Sequence, residues 1–244
     1  MFRAVINFHR PRPAVLALLA ALPIAAGVSA CGGSSSSNGN GLQSKSADAI
    51  VKAAYQAANG LKSVRIAGTM SKGGTNVGLN LKMVAGVGAQ GTISQQGKSF
   101  QLVVDHKTLY INAGRAFWTA YTNAAIAKLM EGKWLRASTT GSYSSFASFG
   151  DIHSLFGSVL TQHGKLAKGA VKTIRGVKAI GIRDTTQGGT LYVALTGKPY
   201  PLEIVGAGSG TQGSLQFTDF NSSLTITAPK HSVDLKALTA QAAG

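Results

Sequence analysis

Two hydrophobic periods alternate along this chain. Ala47, Ile50, Val51, Ala54, Ala58 and Leu61 recur at helical spacing. Ser46 is placed to cap that helix, Asp48 lies in its first turn, and Asn59-Gly60 supplies a stop. From Val64 the period becomes two: Val64, Ile66 and Met70 alternate with Arg65, Ala67 and Thr69. After a turn at Lys72-Gly73-Gly74, Val77, Leu79, Leu81 and Met83 alternate with Gly78, Asn80 and Lys82. Strands are predicted again over 89–94, 99–105 (Phe100, Leu102 and Val104 on one face) and 108–112. Short strands joined by Gly- and Lys-containing turns predict an antiparallel meander.

The middle returns to the helical period. Residues 115–130 carry Phe117, Trp118, Tyr121, Ile126, Leu129 and Met130 with a helical tendency. In residues 151–162, Ile152, Leu155, Phe156, Val159 and Leu160 form an i, i+3, i+4, i+7, i+8 stripe. Between these two segments Lys133-Trp134-Leu135-Arg136 reads as a brief strand. Strands then resume over 170–174, 177–184, 189–196, 201–205, 213–221 and 224–227. The class predicted is α+β: a curved antiparallel sheet with one apolar face, and inserted helices placed to cover it. No parallel βαβ pattern is present, which disfavours a Rossmann or TIM architecture.

The N-terminal residues change the picture. MFRAVINFHRPRP carries Arg3, Arg10 and Arg12 and no acid, and residues 14–28 then run fifteen positions without a charge. That sequence of regions describes a secretory signal peptide. A spanning helix needs roughly 20 apolar residues, and Pro23 interrupts this run. Val28-Ser29-Ala30-Cys31 also resembles a bacterial lipobox. The resemblance implies cleavage before Cys31, a diacylglyceryl group on its sulfur and an acyl group, such as palmitate, on its nitrogen. Two or more acyl chains hold a protein stably to a membrane.

Cys31 is the one cysteine in 244 residues, so a disulfide would have to be intermolecular. A catalytic thiol needs a structured electropositive pocket, yet glycine, serine and asparagine follow it. Cys31 is therefore expected to be a lipidation site. The organisation expected is a signal peptide over 1–30, a flexible Gly/Ser linker over 31–45, a folded domain over 46–238 and a tail over 239–244. The protein would be exported and anchored by lipid to the outer face of the cell membrane.

Charge fits that placement. All eight acids and 21 of the 24 basic residues lie beyond Ala30. Surplus positive charge on a tethered domain favours anionic headgroups or cell-wall polymers, and an exported compartment argues against nucleic acid as partner. The most basic stretch runs from Lys165 to Arg183 and includes Lys168, Lys172, Arg175 and Lys178 with no acid. It reads as a twisted hairpin with lysines outward.

No constellation for catalysis emerges. In Gly91-Thr92-Ile93-Ser94-Gln95-Gln96-Gly97-Lys98-Ser99 five residues separate the glycines, where a phosphate loop has four, and no helix follows; a hairpin turn is the better reading. There is no G-x-S-x-G elbow. His106, His153, His163 and His231 show no metal-ligand spacing with one another. Asp184 and Asp219 would have to meet in space to form a carboxylate pair. No catalytic residue, metal or cofactor is expected, and the protein is not expected to be an enzyme.

The apolar face carries the functional expectation. It predicts that lipid contacts Val77, Leu79, Leu81, Met83, Phe100, Leu102 and Val104 on the strands. Ile126, Leu129, Met130, Phe146, Phe149, Leu155, Phe156 and Val159 would contribute from the helical insertion. An ordinary filled core is the competing outcome. At about 0.8 kcal/mol per CH₂, a 16-carbon chain costs on the order of 12 kcal/mol to expose to water, so lipid crossing an aqueous envelope needs such a shelter.

Several features together resemble the actinobacterial LppX/LprAFG lipoproteins, which share the fold of the carriers LolA and LolB. These are the lipobox, the linker, the helix before a meander and the Lys133-Trp134 strand between helical pieces. The closing Phe217-Thr218-Asp219-Phe220 with Ala228-Pro229 completes the set, and the similarity spans about 46–238. The resemblance implies a strongly curved half-barrel whose concave apolar face is covered by helices, a LolA-like lipid-binding domain. It implies diacylated or triacylated envelope lipid or lipoglycan as cargo, with a lipid transporter as a further candidate partner. The alternative is a cell-envelope interaction, sensor or assembly lipoprotein without lipid cargo.

Overall fold

The computed structural model describes residues 39–207 and 211–241. Cys31, the leader and the glycine–serine stretch to residue 38 lie outside the described residues, as do 242–244 of the expected tail. Gly39 bridges Thr196. Asn40 Nδ2 donates to the carbonyls of Ala194 and Gly197 at 2.9 and 3.1 Å. A 3₁₀ turn, Leu42–Ser44, leads into helix α1 (Ala47–Asn59). Ser46 Oγ accepts the Ala49 amide at 3.3 Å as N-cap, and Gly60 ends the helix.

The meander follows as β1 (Ser63–Lys72), β2 (Thr75–Val84), β3 (Gly88–Gln95), β4 (Lys98–Asp105) and β5 (Thr108–Ala113). Two-residue turns join β1 to β2 at Gly73-Gly74 and β3 to β4 at Gln96-Gly97, with φ of 57°, 78°, 50° and 77°. Positive φ at both centres matches the right-handed twist of the strands. The would-be phosphate loop is thus a hairpin, as its sequence predicts.

The helical insertion comprises α2 (Arg115–Thr119), α3 (Ala124–Met130), β6 (Leu135–Ser138), a 3₁₀ segment (Gly141–Gly150) and α4 (Ile152–Thr161). The second meander is β7 (Leu166–Ile174), β8 (Val177–Asp184), β9 (Thr190–Ala194), β10 (Pro201–Val205) and β11 (Thr211–Thr218). A two-residue β12 (Val233–Asp234) and helix α5 (Leu235–Gln241) close the described chain. The basic stretch forms the β7–β8 hairpin, turning at Arg175-Gly176.

All twelve strands belong to one sheet, ordered β12-β6-β5-β4-β3-β2-β1-β11-β10-β9-β8-β7. Every pairing is antiparallel except β12 with β6. The sheet is strongly curved and unclosed, with β12 and β7 at its edges, and the protein is the expected α+β half-barrel. Glycines on the concave face relieve the bend. Gly91 has φ 159°, and a Cβ there would run into the Asn80 carbonyl of β2.

Residues 224–227, expected as a strand, are not paired into the sheet. Leu224 and Ile226 do turn inward, but the chain here crosses the outer face instead of running beside a partner. The Thr227 amide donates to Gln90 Oε1 of β3 at 3.1 Å. Val103, opposite Gln90 and facing outward from β4, is buried on this same outer face. Period-two alternation reports an extended chain lying on an apolar surface, and a ladder is only one way to obtain it.

A second, smaller apolar cluster also sits on the outer face. Ile174, Ala179, Ala194 and Leu202 form it, with Tyr192, Tyr200 and Phe220 packed against them. A register shift between Pro201 and Glu203 turns Leu202 to that side.

Candidate functional site

Inward-facing side chains of the first meander form rows across the strands, and their burial changes from row to row. Val64, Met83, Ala89, Val104 and Leu109, nearest the start of β1, are all buried. So are Ile66, Leu81, Leu102 and Ile111 one row on. In the third row Ile93 and Phe100 stay buried, but Leu79 and Leu215 are only half-buried. The last row, Met70, Val77, Gln95 and Lys98, is half-buried throughout. The concave face is sealed at one end and open at the other. Gly39 and Asn40 join the domain at the sealed end, beside the β9–β10 turn.

Helices provide the cover. Residue α4 position Phe156 meets Phe217 of β11 with ring centroids 5.1 Å apart, while α1 packs on α4 and across β7 to β10. The 3₁₀ segment covers β3 and β4 with buried Phe146 and Phe149, whose rings lie 6.4 Å apart. At the open end, α2 and α3 leave from the last residue of β5. Phe117 of α2 reaches Phe100 at 4.9 Å, and the Gly132 amide returns to the Ala113 carbonyl at 3.0 Å.

Between α1, α4 and β7–β10, also at the open end, lies a cleft of about 160 Å³. Val51, Val159, Leu160, Leu166, Ile182, Leu191 and Ile204 supply its apolar wall, with Asp184 and His163 at its border. Asp184 serves the loop. Its Oδ2 accepts the Gly164 amide and its Oδ1 the Thr186 and Gln187 amides, each at 2.8 Å. Burial pushes this carboxyl's pKa up, but the three amides outweigh it and hold the group below the usual carboxylate range. A broader depression of about 420 Å³ lies on the outer face over Ala67, Gly68, Thr69, Ser214 and Gln216. Lacking any large apolar side chain, it offers no wall for an acyl chain.

The side chains expected to contact lipid fall into three groups. Leu81, Met83, Phe100, Leu102, Val104, Met130, Phe146, Phe149 and Phe156 are buried. Val77, Leu79, Ile126 and Leu155 are half-buried. Leu129 and Val159 are exposed, at 43% and 40%, and of all fifteen only Val159 borders the cleft. The rest of the cleft's apolar wall, on α1 and β7–β10, is not among the fifteen. The alternation of Ile180 with Ile182 and Leu191 with Val193 was visible, but it does not say which helix lies opposite.

Several of the histidines and acids make structural contacts. Asp219 pairs with Arg65 at 3.2 Å, so Asp184 and Asp219 each serve another partner. His106 Nδ1 contacts Asp105 at 2.7 Å, and His153 Nδ1 contacts Asn59 at 3.3 Å. Asp151 caps α4 through the His153 amide and Ser154 hydroxyl. Among the described residues no group of three or more His, Cys, Asp or Glu is arranged to hold a metal ion, and no helix is long and apolar enough to cross a membrane.

No protein-family model matches the chain, and no curated protein matches it by sequence. Solved structures do. LprF from Mycobacterium bovis superposes with a TM-score of 0.53 at 14% identity, over 75% of this chain and 96% of that one. Lipoprotein LppX from Mycobacterium tuberculosis gives 0.49 at 15% identity, over 74% and 98%. A LolA superfamily protein from Nitrosomonas europaea gives 0.25 at 10% identity, over 74% and 94%. The fold is that of LprF, a strongly curved, unclosed sheet covered by helices.

Proposed function

We propose that this protein is a membrane-tethered lipoprotein that binds acyl chains of envelope lipids or lipoglycans and carries or transfers them without catalysing a reaction. The observation that carries this reading is the graded concave face, sealed at one end and relaxed to an apolar cleft at the other. Cys31, acylated after removal of residues 1–30, would supply the anchor on the outer face of the cell membrane. Seven residues lie between Cys31 and Gly39, so the eight Cα–Cα steps reach at most ~29 Å.

Cleft volume sets a condition on this reading. Pockets for drug-sized ligands run roughly 300–1,000 Å³, against about 160 Å³ here. Cargo would therefore have to move α4 and α1 off β7–β10. The small cleft is also what favours the second reading, an envelope interaction, sensor or assembly lipoprotein without cargo. Mass spectrometry of organic extracts of the protein purified from membranes separates the two. Bound acyl lipid near equimolar amount supports the carrier, and its absence from every preparation sinks it.

A further inference from the structure

We propose that the open end of the half-barrel is a docking surface for an anionic lipid bilayer. The proposal concerns contact with a membrane face and does not require lipid in the cleft.

Four large apolar side chains are exposed among the described residues: Leu129, Val159, Val171 and Val233. Two of them stand at the open end on opposite flanks. Leu129 belongs to α3, which follows the end of β5, and Val159 borders the cleft beside β7–β10. Half-buried Met70 and Val77 lie in the rim between them.

Lysines surround these tips. Lys72 ends β1, Lys98 begins β4, Lys128 lies in the last turn of α3, Lys133 follows that helix and Lys165 precedes β7. None of the five forms an ion pair with a described residue. Of the acids at this end, Glu131 is paired with Arg115 at 2.7 Å, while Asp184, held by three amides, and exposed Asp48 in the first turn of α1 keep their charges. Five lysines outnumber these two carboxylates, so the rim presents net positive charge around apolar tips.

That pairing selects the partner. Lysine is depleted in protein–protein interfaces, whereas Lys stems extend through an interfacial layer with their ammonium groups among headgroups. Each contributes on the order of 1 kcal/mol near an anionic surface. The sealed end has cations as well, at Lys62, Lys107 and Lys198, but the other two exposed apolar side chains, Val171 and Val233, lie along the edge strands β7 and β12 and not in the turns that carry these lysines.

The test exploits the single cysteine. In the full chain carrying Cys31→Ser, one new cysteine is introduced at a time, Leu129→Cys, Val159→Cys or Lys107→Cys, and labelled with an environment-sensitive dye. Vesicles of phosphatidylcholine containing one-third phosphatidylglycerol should brighten and blue-shift the labels at 129 and 159, and leave that at 107 unchanged. Pure phosphatidylcholine should have little effect. Adding Lys72→Gln, Lys98→Gln and Lys128→Gln should weaken binding roughly a hundredfold at low salt. Silent labels at both 129 and 159, an equal response at 107, equal response to neutral vesicles, or unchanged binding by the triple variant would each overturn the proposal. Lipid extraction reads cargo separately, so docking and carrying can fail independently.

Discussion

Phe156 of α4 and Phe217 of β11 stand with ring centroids 5.1 Å apart and planes inclined at 49°, and the contact fastens the covering helix to the middle of the sheet. Both rings are buried. Phe156→Ala is therefore expected to cost about 3–5 kcal/mol in urea denaturation. A cycle with Phe217→Ala should give a coupling of roughly 1 kcal/mol. A cost below that of a surface substitution would mean that α4 does not pack where it is seen.

Filling the cleft separates cargo from fold. Leu191 lies on its apolar wall and is half-buried, so Leu191→Trp should occupy part of the space while leaving β9 paired. The expected result is less co-purifying lipid at an unchanged or higher melting temperature. Undiminished lipid in the variant would move the binding volume elsewhere.

Glu203 is a buried acid on the outer face, with Lys172 Nζ 2.9 Å away and that ammonium 3.6 Å from the Tyr192 ring centroid. Lys172→Met leaves the carboxylate alone. Because the lysine is 40% exposed, the expected cost is about 1–2 kcal/mol, below that for a fully buried pair. Burial lowers the Lys172 pKa, but the hydrogen bond and charge of Glu203 outweigh it, so the net shift is upward. A raised lysine contributes fully below its unfolded value of about 10.4 and loses that contribution as pH rises through the folded value. Wild-type stability should fall more steeply above about pH 10 than that of Lys172→Met, measured by denaturation across pH.

On the acid side the sign reverses. Asp184, lowered by its amide bonds against the effect of burial, contributes fully above about pH 3.9 and loses that contribution as pH falls further. Asp184→Ala should cost about 1–2 kcal/mol near neutrality through the lost loop bonds. It should also flatten the slope of stability below about pH 4. Part of the slope remains with Asp151, whose pKa is lowered as well by its helix-cap bonds against burial.

Much of this architecture is legible in the sequence because each face of each element has a period. α1 with its Ser46 cap, the first meander and strand β10 lie where the pattern puts them. What the pattern lacks is direction. The 3₁₀ segment Gly141–Gly150 and helix α5 have no sustained period, and β12 is two residues whose pairing depends on a chain that has crossed the outer face. The Pro201/Glu203 register shift depends on β9 and leaves no local mark. For the site, one wall could be read from Val77 to Val104, but the opposite wall follows from how α1 and α4 lie on β7–β10, a tertiary fact.

The stretch from β11 to β6 that crosses the outer face has a mechanical consequence. It is fastened at three places: Asn221 to Lys62 and Ser63, Thr227 to Gln90, and Val233 to the Trp134 carbonyl. A curved plate with a hoop drawn around its back cannot flatten without stretching the hoop, so the β1–β6 half keeps a fixed radius. Any swelling of the interior is then expected on the other half, where α1 and α4 rest on β7–β10 and the outer-face ties, Arg175 to Leu202 and Phe217 and Lys172 to Glu203, gather toward the sealed end. The molecule is thus built as one rigid wall and one yielding wall, and amide exchange should be slow in β2–β4 and faster in β8 and β9.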